Sequence, residues 1–108
     1  MERYDFCVHR GATFVKSLLI KKDGAPLDLS GWSAKSQVRP EPDSPDLICE
    51  MEITIVPEEG RIRLRIGQDV TARIPAGTYA WDIRVTDDED AARYYLGGAF
   101  LVLPSVTQ

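Results

Sequence analysis

Between Gly77 and Asp87 the chain alternates without a break. Tyr79, Trp81, Ile83 and Val85 share one parity, and Ala80, Asp82, Arg84 and Thr86 the other. Successive side chains of an extended strand point to opposite faces, so this stretch is a strand with one buried and one wet face. Tyr79 follows two residues after Gly77, and a short polar segment that reads as a crossover precedes both. That arrangement suggests a two-sheet sandwich, in which a tyrosine anchors the corner where the chain changes sheets.

The rest of the chain reads in the same way, with turn signals at short intervals. Further strands are predicted over Arg3–His9, Ala12–Lys22, Trp32–Arg39, Leu47–Ile55, Arg61–Ile66 and Ala91–Leu103. Asp23-Gly24 marks a tight turn. Pro26–Gly31 is a loop with two apolar plugs, Leu27 and Leu29, and Pro40–Pro45 holds three prolines in six residues and must be an exposed connection. The hairpin around Pro57–Gly60 has its register fixed by burial. Setting Val56 opposite Arg61 pairs Ile55 with Ile62, Ile53 with Leu64, and Met51 with Ile66, so every apolar pair falls on one face. Glu52 then opposes Arg65 on the wet side. Gly67–Ala76 suits a single helical turn, ended by Pro75 and Gly77. In the last strand Tyr94, Leu96, Phe100 and Val102 share a parity, Tyr95, Leu101 and Leu103 take the other, and Gly97-Gly98 is expected to form a bulge. The prediction is one all-β domain over residues 1–108, an antiparallel immunoglobulin-like β-sandwich of about seven strands.

Composition narrows what such a domain can do. At 108 residues, with 44% apolar and 28% charged side chains, the chain can bury a core without metal or disulfide staples. Its net charge of −4 argues against a general nucleic-acid binder, which needs a basic stripe to displace counterions. No apolar run reaches the length of a membrane span, and Met1–Asp5 does not read as the start of a secretory signal, so neither membrane nor export is expected. Cys7 and Cys49 read as reduced thiols acting as small hydrophobes, with a disulfide between strands as the minor alternative. With His9 as the one histidine, they do not supply the clustered ligands zinc requires.

Candidate chemistry is sparse. Asp87–Asp90 places four acids in a row at an inferred hairpin tip, but without the ligand spacing and glycine of a calcium loop, so a solvated turn is expected. Arg61, Arg63 and Arg65 lie on one strand face, with Arg84 as a candidate fourth. Such a row can bind phosphate or an acidic protein, or be neutralised by Glu50 and Glu52 on the neighbouring strand. Phe14, Trp32, Tyr79 and Trp81 could line a sugar platform, but their parity assigns them to the core. His9 is expected to be exposed or on an edge strand. No nucleophile elbow, glycine-rich phosphate loop or histidine–carboxylate pair is present, so a non-enzyme without cofactor or metal is expected.

Taken in order, the blocks Tyr4-Asp5-Phe6, Arg10–Phe14, Asp23–Trp32, Ala34, Gln37–Arg39, Gly60–Leu64, Ile74–Ile83 and the closing Gly98 to Val106-Thr107 resemble a family of small phage and prophage proteins. The family is similar to the N-terminal immunoglobulin-like domain of phage baseplate upper proteins. The resemblance implies a virion or tail-associated structural module, found in the virion or in the bacterial cytoplasm when prophage-encoded. Its partners would be proteins of a phage-type assembly, a second copy of the chain among them, and no catalytic residue is carried over. The chain departs from the family at Asp88-Glu89-Asp90-Ala91, where a glycine is expected in the turn. It also ends at Gln108 with no helical extension toward a receptor-binding head, which favours a connector, adaptor or decoration over a complete baseplate arm. The alternative reading is a carbohydrate-binding sandwich that recognises host surface glycans, which requires at least two aromatic side chains exposed together.

Overall fold

The computed structural model describes residues 2–105, apart from the side chains of Glu2 and Tyr94. Eleven strands build it: β1 (Glu2–Arg3), β2 (Phe6–His9), β3 (Phe14–Leu19), β4 (Lys21–Lys22), β5 (Ala25–Pro26), β6 (Ser33–Arg39), β7 (Cys49–Glu50), β8 (Glu52–Val56), β9 (Arg61–Ile66), β10 (Gly77–Thr86) and β11 (Ala92–Leu103). A single helical turn, α1 (Gln68–Thr71), precedes β10. The larger sheet runs β1-β11-β10-β6-β7, with β2 also beside β11; the smaller runs β3-β9-β8, and β4 and β5 form a separate ribbon. Merged where short breaks interrupt them, the principal strands are the seven expected, and they form a two-sheet β-sandwich of immunoglobulin-like type.

The chain crosses between the sheets at both sides of the sandwich. On one side the edge strand β2 leads through Arg10-Gly11 to β3, the edge of the smaller sheet. On the other, the expected strand over Leu47–Ile55 divides at Met51. Its first part pairs with β6 (Val38 opposite Cys49) and its second with β9 (Ile53 opposite Leu64). The buried Met51 still donates its N–H to the Ser36 carbonyl at 3.0 Å while its successor has joined the other sheet. A sequence pattern apolar at every second position fits either sheet, so the switch carries no local mark.

The hairpin of β8 and β9 has the expected register from Glu52 opposite Arg65 to Val56 opposite Arg61. Asp23 and Gly24, both at positive φ (54° and 80°), turn β4 into β5 as a tight hairpin. Leu29 fills the core from its loop, with Leu27 half-buried beside it. Tyr79 donates its hydroxyl to the Pro75 carbonyl at 2.5 Å, closing the corner by which the chain returns from β9 through α1 to β10. Thr71, fully buried, ties α1 to the turn after β2: its hydroxyl donates to the Ala12 carbonyl (2.8 Å) and accepts from Gly11 N–H (3.1 Å).

Two expectations about the ends of the chain are corrected. The N-terminal segment pairs with β11 in parallel, Arg3 opposite Gly97 and Phe6 opposite Phe100, so the larger sheet is mixed rather than antiparallel throughout. The bulge in β11 is not at Gly97-Gly98, where pairing with β10 continues unbroken; the register shifts where Val85 faces Tyr94 and Thr86 faces Ala92. Arg93 is the extra residue. The glycines serve a close approach instead. A Cβ on Gly98 would collide with the Tyr4 carbonyl, and one on Gly97 would lie 2.8 Å from the Trp81 carbonyl.

The core lies between the sheets around Ile62, Leu64, Ile83, Val85 and Phe100, all without solvent contact. Rings bridge it on the β2 side, with Phe6 stacked on Trp81 (centroids 4.3 Å) and near Phe14 (5.3 Å), and Phe14 edge-on to Phe100 (5.1 Å). Such pairs add about 0.5–1.5 kcal/mol each beyond the apolar area they bury.

Candidate functional site

The outer face of the larger sheet is concave because its central side chains are small. Gly97 and Ala99 on β11 sit opposite Asp82 and Ala80 on β10, and those in turn face Gln37 and Arg39 on β6. Around this floor rise Arg3 from β1, Tyr95 from β11 and the loop Pro40–Pro42, which together enclose a dish of about 320 Å³. That is the small end of the roughly 300–1,000 Å³ typical of ligand clefts.

The polar groups of the dish are held rather than loose. Tyr95, 47% exposed, donates its hydroxyl to the Asp82 carboxylate at 2.9 Å, and this bond, followed by partial burial, raises the phenol above its ordinary range. The Arg39 guanidinium donates to Gln37 Oε1 (2.7 Å) and to the carbonyls of Ser44, Pro45 and Asp46 (3.3, 3.1 and 3.1 Å). One arginine thereby pins the proline-rich loop at the rim. Gln37 passes the network on to Glu50 at 3.0 Å. The dish thus pairs a floor of small residues with a rim of donors and acceptors already held by hydrogen bonds.

The sequence-derived candidates distribute as follows. Trp81 and Phe14 are 3% exposed, and Tyr79 and Trp32 pack against the core, so these aromatics do not form a platform. The side chain of Tyr94 lies outside the described residues, as do Val106 and Thr107. His9 is exposed on β2, at the sheet edge. Cys7 and Cys49 are free thiols, with Cys7 exposed and Cys49 half-buried, where burial pushes its thiol up. They occupy opposite edges of the larger sheet, four strand spacings or about 19 Å apart, beyond the roughly 7 Å that a disulfide spans. Among the described residues no group of three or more histidine, cysteine, aspartate or glutamate side chains is placed to hold a metal.

The arginine row is corrected in two respects. Arg61, Arg63 and Arg65 do share the outer face of the smaller sheet, but Arg84 lies on β10 and is exposed on the other sheet. Glu52 meets Arg65 at 2.5 Å as expected, an exposed pair worth about 1 kcal/mol at most. Glu50, however, belongs to β7 in the larger sheet, where it lies 3.8 Å from Lys35. Parity separates inside from outside and cannot say which sheet a residue belongs to.

The acidic tip is also not uniformly solvated. Asp87 is 7% exposed, and its carboxylate accepts from Arg93 Nε (2.5 Å), Ala91 N–H (2.9 Å) and Glu89 N–H (2.9 Å). The bulge at Arg93 is what turns that side chain back onto Asp87. The Arg93 hydrogen bond, then that from Ala91, holds the carboxyl below its ordinary range, with desolvation opposing. A carboxylate with a depressed folded-state pKa contributes stability above its unfolded value of about 4, lost as pH falls through the lower folded value. Asp87→Asn is therefore expected to lower the melting temperature at neutral pH, and the gap to the parent should close as the pH drops below about 4. Thermal melts of both proteins across pH check this; a gap independent of pH would show that the charge is not what holds the turn.

No protein-family model matches the chain, and no curated protein matches it in sequence. Solved structures do share its shape. The N-terminal domain of phage TP901-1 ORF48 superposes with a TM-score of 0.54 at 8% identity, covering 95% of this chain and 99% of that one. A family 123 glycoside hydrolase from Clostridium perfringens matches with a TM-score of 0.50 at 15% identity; this chain covers only 24% of its length. A PKD domain from human KIAA0319 matches at 0.45 with 13% identity, over 100% of this chain and 80% of that one. Likeness at such identities is likeness of fold, and a phage protein's N-terminal domain is among the structures that share it.

Proposed function

We propose that this protein is a non-enzymatic assembly module of a phage-type structure, and that it holds a protein partner in the dish on its larger sheet. The dish is the observation that carries the reading. Its floor of Ala80, Gly97 and Ala99 lets a partner side chain reach the sheet, while Tyr95 and the prolines of the rim offer rigid apolar contact at low entropic cost. The fold it shares with the N-terminal domain of a phage protein supports the phage-type setting.

The test is co-purification with the products of the genes flanking its own, using the parent protein and Ala99→Arg. Ala99 lies on the outer face, so the arginine fills the dish without entering the core. Retention of a flanking product by the parent, lost by at least about tenfold in the variant, is the expected outcome. Equal retention by both would remove the dish from the interface. A glycan reading finds one observation in its favour, the half-exposed ring of Tyr95 beside Asp82, Gln37 and Arg39. It predicts retention on an immobilised sugar that Tyr95→Ala abolishes.

A further inference from the structure

The outer face of the smaller sheet is a lattice of nine side chains, three from each strand. Its rows are Val15–Arg65–Glu52, Ser17–Arg63–Thr54 and Leu19–Arg61–Val56. A column of three arginines therefore runs down the middle, against a single glutamate, in a chain whose net charge is −4. Val15 and Leu19, 48% and 49% exposed, stand beside the column, so apolar surface and positive charge are interleaved. The central arginine is uncommitted. Arg65 is paired with Glu52, and Arg61 lies 3.7 Å from Glu59, whereas Arg63 makes no ion pair or side-chain hydrogen bond among the described residues.

We propose that this face is a second docking surface, which takes an extended acidic segment of a partner protein with carboxylates at alternate positions. Alternate residues of a strand are spaced about 6.8 Å apart, and an extended segment with acids at every second residue repeats the spacing of Arg61, Arg63 and Arg65. Arginine binds carboxylate through two parallel hydrogen bonds, and arginine is among the residues that most often carry the binding energy of a protein interface. A nucleic acid fits less well. The acidic remainder of the chain, which gives it a net charge of −4, repels a long polyanion that has to run on beyond the three arginines. Lys16, which shares the inward parity of Phe14 and Leu18 yet is exposed, places a charge at the open edge of β3 and discourages strand addition there, leaving the face as the site. The proposal is independent of the dish, which lies on the opposite side of the sandwich.

Fluorescence anisotropy tests it with a dye-labelled ten-residue peptide of alternating valine and glutamate. The full chain should bind the peptide saturably, less tightly as salt is raised. Arg63→Glu should weaken binding by about tenfold or more, with Arg63→Gln intermediate. Arg84→Glu, on the larger sheet, should bind like the parent. Arg63 is exposed, so both variants should keep the parent's melting temperature; Arg63→Gln decides the matter if Arg63→Glu does not fold. Equal binding by the parent and both Arg63 variants, or equal weakening by Arg84→Glu, would overturn the proposal. So would tighter binding of single-stranded oligothymidine lost in Arg63→Glu, which would make the face a nucleic-acid site. A dimer by light scattering that Arg63→Glu dissolves would make the occupant a second copy and overturn it as well.

Discussion

Replacing Gly98 by alanine is expected to cost about 3 kcal/mol, the upper part of the range for overpacking; for a domain of this size that is on the order of 15 °C in melting temperature. The cause is a crossing of backbones. Between β1 and β2 the chain kinks at Tyr4-Asp5, and the Tyr4 carbonyl is laid over the space where Gly98 has no side chain. Three hydrogen bonds depend on that closeness. Tyr4 N–H donates to the Gly97 carbonyl (2.9 Å), Ala99 N–H to the Asp5 carboxylate (2.9 Å), and Trp81 Nε1 to the Tyr4 carbonyl (2.7 Å). A methyl group at position 98 meets backbone rather than the flexible end of a side chain, so relief requires the N-terminal strand to move. Parallel pairing of β1 and β2 with β11 would loosen, and Phe6 would lift from Trp81. Thermal denaturation followed by far-ultraviolet circular dichroism measures the loss. A variant that melts within about 3 °C of the parent, less than 1 kcal/mol on the same scale, would show that the chains do not cross so closely.

The same glycine shows why parts of the fold were legible in the sequence and others were not. The alternation of Tyr79, Trp81, Ile83 and Val85 is a local pattern with one physical cause, and it located the longest inner face of the sandwich. The register of β8 against β9 was legible because a slip of one residue would set Thr54 opposite Ile62 on the buried face. Gly97-Gly98 read as a bulge, since the segment that requires both glycines arrives from the other end of the chain. Ala99 and Asp5, which share a hydrogen bond there, are 94 positions apart. Arg93 bulges and its side chain meets Asp87, and neither residue signals this by type alone. The dish was harder still. Its floor is made of small residues on the wet parity of adjacent strands, and a missing side chain becomes a feature only once Ala80 and Ala99 are known to be neighbours. The charged face of the smaller sheet was half legible: the spacing of Arg61, Arg63 and Arg65 shows one face, but pairing alone excludes Arg84 and Glu50 from it.

Trp81→Ala is expected to be more damaging than Gly98→Ala, at about 4 kcal/mol from lost burial and the cavity left behind. Set against the roughly 5–15 kcal/mol that holds a domain together, that loss leaves little margin. Trp81→Phe separates its causes. Phenylalanine keeps a ring under Phe6 but has no N–H, so the Tyr4 carbonyl faces the core without its donor, at about 1–3 kcal/mol. In the Gly98→Ala background the carbonyl has already been displaced, so the second substitution has less left to remove. The double variant is therefore expected to fall short of the summed single losses by about 1 kcal/mol, the coupling typical of residues that share one partner. Urea midpoints at constant slope measure all three variants, and strict additivity would mean that Gly98 and Trp81 stabilise the N-terminal strand by separate routes. The coupling reaches the dish as well. Arg3, at its wall, is held by the parallel pairing of β1 with β11, and β1 is positioned through the Tyr4 carbonyl. A donor lost inside the sandwich should thus weaken a partner bound outside it, and Trp81→Phe should lower retention of that partner although its side chain never meets it.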